Sequence, residues 1–132
     1  MTVSTHVLDT RLGRPARGVP VRLDRHDGGG WQHLAEGATD EHGRWAVPDA
    51  GAGTGADPAA DPGTGAAPEP GTYRLRFGAG PYFAALAVAT CYPEVSVIFS
   101  VPADGGPRHV PLLLGPFGYS TYSGGRDGGR EG

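Results

Sequence analysis

Three residues combine a side chain suited to proton transfer or anion binding with a position on a predicted strand. His6 lies in the segment Val-Ser-Thr-His-Val-Leu, and His109 precedes Val-Pro-Leu-Leu-Leu. A neutral imidazole, with a pKa of about 6.5, can accept a proton from water near neutral pH. Arg44 follows Asp-Glu-His-Gly, which predicts a turn with Gly43 at positive φ. Its planar guanidinium suits carboxylates and other oxyanions.

Each of these residues also has a plainer interpretation. A single histidine on a strand is more often structural than catalytic, and an arginine after a turn is often an ordinary surface cation. Their occurrence together favours catalysis. No pair of histidines has the spacing of a zinc motif such as His-Glu-x-x-His, and a single cysteine provides no thiolate pair, so no metal site is predicted. Cys91 itself is interpreted as a buried thiol without a catalytic role.

The elements that must position these side chains are predicted to be strands. Only residues 81–89 could form a helix, and it would be short. Alternation of apolar and polar residues predicts seven or eight strands, and the triple glycine at 28–30 predicts a hairpin turn. The alternation is clearest at residues 3–8, 19–24, 72–77, 95–101 and 109–114. An all-β antiparallel sandwich is the fold class that such spacing favours.

The same alternation predicts which way the two histidines face. If Val3 and Val7 point into the core, His6 points away from it, and the same reasoning directs His109 outward. One outer face would also carry three apolar side chains, those of Leu8, Ile98 and Leu113. Because so apolar a surface is unsuited to bulk water, we expect a second subunit to cover it.

Length and composition predict one domain with two additional segments. The chain has 132 residues, enough for a single modest core. Residues 49–71 contain no apolar side chain larger than alanine, so they are predicted to form a disordered Gly/Ala/Pro-rich insertion. We therefore expect a domain at 1–125 with that insertion and a flexible tail at 126–132.

Charge and hydropathy exclude several classes of partner. The formal net charge of −3 argues against binding to nucleic acid or to an anionic membrane surface. No apolar run approaches the roughly 20 residues that span a bilayer. The first ten residues lack the basic and apolar regions of a signal peptide, so a cytoplasmic location is expected.

Five segments together resemble 5-hydroxyisourate hydrolases, the enzymatic branch of the transthyretin-like proteins. They are STHVLDTRLGRPARGVPVRL, TDEHGRW, GTYRLRFGAGPYFA, YPEVSVIFSV and HVPLLLGPFGYSTY. The resemblance covers nearly the whole chain except residues 49–71 and the last several. It implies a transthyretin-like sandwich of two four-stranded sheets with one short helix. It also implies a homotetramer with active sites at the dimer–dimer interface.

The activity implied by the resemblance is hydrolytic opening of 5-hydroxyisourate in urate degradation, without a cofactor. The product would be 2-oxo-4-hydroxy-4-carboxy-5-ureidoimidazoline. Matched motif by motif, the family's catalytic residues fall on His6, Arg44 and His109, and a substrate-binding tyrosine falls on Tyr122. Which histidine is the general base stays open at this point.

This sequence departs from the family at its C-terminal motif. The family usually closes with Tyr-Arg-Gly-Ser, whereas this chain has Tyr-Ser-Gly-Gly at 122–125, followed by seven more residues. The lost arginine leaves an alternative open, a catalytically impaired transthyretin-like tetramer that binds a small ligand. Retention of both histidines and Arg44 argues against that alternative, because a pure binding protein gains little from them.

Overall fold

The computed structural model describes residues 3–48, 69–103 and 107–123. Nine strands and one helix make up this part of the chain. In chain order they are β1 Val3–Asp9, β2 Arg14–Pro15, β3 Pro20–Asp27, β4 Gly30–Ala38, β5 Arg44–Ala46, β6 Gly71–Phe77, α1 Ala79–Ala85, β7 Val95–Val101, β8 Arg108–Gly115 and β9 Gly118–Thr121. None of the described helical residues forms a segment long and apolar enough to cross a membrane.

The strands form two sheets whose inner faces share one core. The first sheet has the order β2-β1-β8-β9, with β5 also paired to β1, and the second has the order β4-β3-β6-β7. Strand β1 shows the alternation most clearly, since every second residue from Val3 to Asp9 is buried. The largest fully buried side chains are Tyr73, Phe77, Phe83, Leu23, Leu75, Leu112, Leu114, Val3, Val7, Val19, Val21 and Val95. The predicted all-β sandwich with one short helix is confirmed.

The first sheet differs from the prediction in strand number and in one pairing. It has five strands instead of four because two short strands pair with different parts of β1. Strand β5 pairs with Ser4–His6, and β2 pairs with Leu8–Asp9. In addition, β1 and β8 run parallel, whereas the alternation had predicted an antiparallel sandwich. Parallel neighbours require a long crossover, and here almost the whole chain lies between the two strands.

The end of β1 is tied to the helix by a buried hydrogen bond. The Tyr82 hydroxyl donates to Asp9 Oδ2 at 2.7 Å, and both residues are buried. Asp9 also accepts from the backbone N–H and the guanidinium of Arg11. Burial, followed by the hydrogen bond and the negative charge of Asp9, raises the pKa of Tyr82 to about 12. This contact fixes β1, which carries the candidate site, against α1.

The predicted insertion and tail fall mostly outside the described residues. Of the segment at 49–71, only its last three residues are described, and Gly71 already belongs to β6. Residues 126–132 are likewise outside the described ranges. Both assignments stay predictions.

Candidate active site

Strand β1 brings the predicted catalytic residues together, because it lies between β5 and β8. His6 stands opposite Arg44 of β5, and Ser4 stands opposite His109 of β8. Residues directly opposite each other in a sheet point to the same side. The residues of β1 that alternate with the buried ones, Ser4 and His6 among them, face outward. Both histidines and Arg44 therefore share the outer face of the first sheet.

The turn before β5 holds the backbone of Arg44 in place. Asp40 Oδ1 accepts hydrogen bonds from the backbone N–H groups of His42 at 2.8 Å and Arg44 at 2.9 Å. The N–H of Arg44, followed by that of His42, keeps the pKa of Asp40 below its usual range despite some desolvation. The carboxylate that organises this turn is therefore ionised at neutral pH.

Gly43 is required at the end of this turn. Its φ is +76°, as the sequence predicted, and this region strongly favours glycine. A Cβ atom at this position would lie 2.5 Å from the backbone oxygen of Val7. The Gly43 carbonyl in turn accepts from the Val7 N–H at 2.7 Å. This close approach seats Arg44 against β1.

His109 has an environment suited to a general base. Its Nδ1 lies 2.9 Å from Ser4 Oγ, and the ring is half-buried. Burial lowers the pKa of His109 from its usual value, and electrostatic interactions with His6 and Arg44 lower it further. The imidazole is consequently neutral at pH 7 and has a lone pair available to accept a proton.

Tyr122 and Ser123 line the same cavity as His109, and residues of both sheets contribute to it. The cavity has a volume of about 330 Å³ and is lined by Val97, Phe99, Ser100, Arg108, His109, Val110, Thr121, Tyr122 and Ser123. Thr121 is anchored through a 2.6 Å hydrogen bond from its hydroxyl to the Pro111 carbonyl. The cavity thus joins His109 to the start of the altered C-terminal motif, while His6 and Arg44 lie outside its lining.

The apolar outer surface is divided between the two sheets. Leu8 and Leu113 are opposite each other on β1 and β8, and both are half-buried on the face that carries the histidines. Ile98, which had been grouped with them, lies on β7 of the other sheet and is 60% exposed. The grouping was wrong because alternation assigns a residue to an outer face without saying to which sheet it belongs.

Two other predictions concern cysteine and metals. Cys91 is exposed instead of buried, because it lies in the irregular segment after α1, where its N–H donates to the Pro116 carbonyl.

Within residues 3–48, 69–103 and 107–123, no group of three or more histidine, cysteine, aspartate or glutamate side chains could hold a metal ion.

Ser4 is the site residue that sequence reasoning missed. Alternation already placed it on the same face as His6, and this was the signal available. Its significance depends on the parallel register of β1 with β8, and pairing between strands so far apart in the chain is not encoded locally.

Known proteins similar to this chain agree with the fold and with the family resemblance. The model of the HIUase/Transthyretin family matches residues 3–124. The 5-hydroxyisourate hydrolase of Caulobacter vibrioides is 41% identical over 126 residues, which cover 92% of this chain and 96% of that protein. The 5-hydroxyisourate hydrolase of Salmonella typhimurium is 39% identical over 122 residues, covering 92% of this chain and 79% of that protein.

Solved structures give the same result. Klebsiella pneumoniae 5-hydroxyisourate hydrolase superposes with a TM-score of 0.71 at 30% identity, covering 95% of this chain and all of that one. Sea bream transthyretin in complex with thyroxine superposes with a TM-score of 0.72 at 23% identity, covering 93% of this chain and 94% of that one. The second likeness concerns the fold alone. This chain belongs to the HIUase/transthyretin family.

Proposed function

We propose that this protein is a 5-hydroxyisourate hydrolase that produces 2-oxo-4-hydroxy-4-carboxy-5-ureidoimidazoline during urate degradation. The observation that carries the proposal is the pairing around β1, where His6 stands opposite Arg44 and Ser4 opposite His109. This pairing gathers two imidazoles and a guanidinium on one sheet face. Relatives that bear the hydrolase name, at about two-fifths identity over most of the chain, support the substrate.

The proposed reaction uses His109 as the general base. Its neutral imidazole takes a proton from water, and the water oxygen adds to the ring carbonyl carbon of the substrate. Arg44 holds the anionic substrate and the negative charge that develops on the carbonyl oxygen. The ring C–N bond then breaks, and the proton moves from the imidazolium to the departing nitrogen. His6 and Tyr122 contact the substrate, and the reaction uses no cofactor.

The proposed assembly is a homotetramer with active sites at the dimer–dimer interface. Leu8 and Leu113 support it, since they extend the face that bears the histidines and a symmetric partner would bury them. Covering this face would also exclude bulk water around His6 and Arg44. Charge interactions there would then be stronger than in bulk water. We propose a cytoplasmic location for this assembly.

Ring opening of freshly generated substrate tests the proposal. 5-Hydroxyisourate is produced in the cuvette from urate and urate oxidase, and its ultraviolet absorbance is followed with and without the purified protein. Acceleration of its decay in proportion to protein concentration is expected. Decay at the spontaneous rate at every protein concentration would reject the hydrolase.

The alternative is a catalytically impaired tetramer that binds a small ligand. It is favoured by the Tyr-Ser-Gly-Gly sequence at 122–125, since Ser123 stands where the family has arginine. A Ser123→Arg, Gly125→Ser variant distinguishes the two. The hydrolase proposal expects turnover by the unaltered chain. The alternative expects turnover only after this restoration.

A further inference from the structure

His109 makes a hydrogen bond with Ser4, a residue outside the predicted trio. The two residues are direct partners in the parallel pair of β1 and β8, and Ser4 Oγ lies 2.9 Å from His109 Nδ1. Both are half-buried on the outer face of the first sheet. The contact joins residues 105 positions apart in the chain, so it exists only in the folded protein.

We propose that Ser4 is a positioning residue that accepts the Nδ1 proton of His109 and so leaves the Nε2 lone pair to act as the base. This inference rests on the proposed hydrolase function, because it assigns the nitrogen that takes the proton from water. Ser4 itself does not contact the substrate in this assignment.

The role proposed for the hydroxyl follows from the chemistry of a neutral imidazole. Such a ring has one N–H and one lone pair, and the hydrogen bond made by one nitrogen determines the state of the other. The 2.9 Å separation between Ser4 Oγ and His109 Nδ1 fits an N–H group that donates to oxygen. With the proton on Nδ1, Nε2 is free to accept another.

The backbone around this pair is held by a second hydrogen bond. Thr5 Oγ1 donates to the Val110 carbonyl at 2.5 Å, and Thr5 is buried. Thr5 follows Ser4, and Val110 follows His109, so this bond fixes the register of the two strands at the next position. Ser4 Oγ is therefore presented to the ring by a rigid support, and rigid support is what catalytic geometry requires.

Three variants separate positioning from mere packing. Ser4→Ala removes the hydroxyl, and we expect kcat to fall about tenfold while KM stays close to its original value, because binding groups are untouched. Ser4→Thr keeps a hydroxyl on a strand-compatible side chain, and we expect it to recover most of kcat. The matched control is Ser96→Ala on the second sheet, where the exposed hydroxyl bonds Glu94; its kcat should be unchanged.

A spectroscopic readout tests the tautomer without relying on activity. Nitrogen NMR of the full chain labelled with [15N]histidine, assigned with His109→Gln, distinguishes a protonated ring nitrogen from one with a lone pair. We expect the Nδ1–H form in the unaltered protein and in Ser4→Thr, and a mixture of tautomers in Ser4→Ala. An Nε2–H form in the unaltered protein, or unchanged signals in Ser4→Ala, would overturn the assignment.

The kinetic and spectroscopic results separate this inference from the proposed function. A protein without ring-opening activity that still shows an Nδ1–H ring dependent on Ser4 rejects the hydrolase but retains the hydrogen-bond assignment. An active protein whose Ser4→Ala variant keeps its full kcat rejects the positioning role alone. Loss of kcat in Ser4→Ala that Ser4→Thr fails to recover also rejects it.

Discussion

His6 and Arg44 stand directly opposite each other across the antiparallel pair of β1 and β5. The pairing places an imidazole beside a guanidinium on one face of the first sheet. Arg44 opens a strand of only three residues, and the hydrogen bonds of Asp40 and the left-handed backbone of Gly43 keep that strand against β1. The position of the cation is thus set by a turn and not by a long element.

Replacing Arg44 with lysine should impair the reaction although it keeps the charge. An ammonium group provides a point charge in place of the planar fork, so it loses the bidentate contact with anionic oxygens. We expect kcat/KM for 5-hydroxyisourate to fall about 10²- to 10³-fold. The matched control is Arg22→Lys on the outer face of the second sheet, which should leave kcat/KM unchanged. Equal values for the two variants would contradict the role given to Arg44.

The pH dependence of kcat/KM should reflect the lowered pKa of His109. Burial and electrostatic interactions with His6 and Arg44 favour the neutral form of His109. The base therefore stays unprotonated somewhat below the ordinary histidine pKa of about 6.5. We expect the acid limb of the profile to have an apparent pKa below that value. His26→Ala, a change on the exposed hairpin, should leave the limb in place. An acid limb above the ordinary value would contradict the assignment.

His109 also makes the free energy of unfolding depend on pH. Its pKa is lower in the folded state, so the unfolded chain binds more protons in the interval between the two pKa values. The stabilisation from neutral His109 is therefore fully present above about pH 6.5 and is lost as pH falls through the folded-state pKa. Denaturant unfolding at a series of pH values measures this dependence. The free energy of unfolding of the unaltered protein is compared with that of His109→Gln.

Tyr82→Phe should lower the free energy of unfolding by about 1–2 kcal/mol. The change removes the 2.7 Å hydrogen bond to buried Asp9 and leaves one carboxylate oxygen without that donor, although Arg11 still donates to Asp9. Urea unfolding followed by circular dichroism measures the loss. Tyr119→Phe, at a tyrosine that is 44% exposed, is the control and should stay within about 0.5 kcal/mol. Equal effects would show that the buried contact contributes nothing.

Leu113→Asp should dissociate the proposed tetramer while preserving the sandwich. Leu113 lies on the outer face beside Leu8, and a carboxylate there would be buried by a second subunit without a partner. Sedimentation velocity at micromolar concentration should show a tetramer for the unaltered protein and smaller species for the variant. Leu86→Asp, at the end of α1, is the control. A monomeric unaltered protein would contradict the assembly.

The strands, the outward direction of both histidines and the turn before Arg44 could be predicted from the sequence, because these features are local. Alternation indicates which face of a strand a residue occupies, and Gly43 indicates a positive φ. The pairing of one strand with another is not determined by local sequence. The shared use of β1 by β2 and β5, its parallel pairing with β8, and the assignment of Ile98 to the other sheet all depend on how distant segments meet. For the same reason Ser4 was missed.

The central claim is that side chains on the outer face of the first sheet catalyse the ring opening of 5-hydroxyisourate, with His109 as the general base. Its most direct test is the initial rate of decay of freshly generated 5-hydroxyisourate with the unaltered protein and with His109→Ala, both verified as folded by circular dichroism. After subtraction of the spontaneous decay, the account predicts a catalysed rate about 10²- to 10⁴-fold lower for His109→Ala. Equal rates for the two proteins would contradict it.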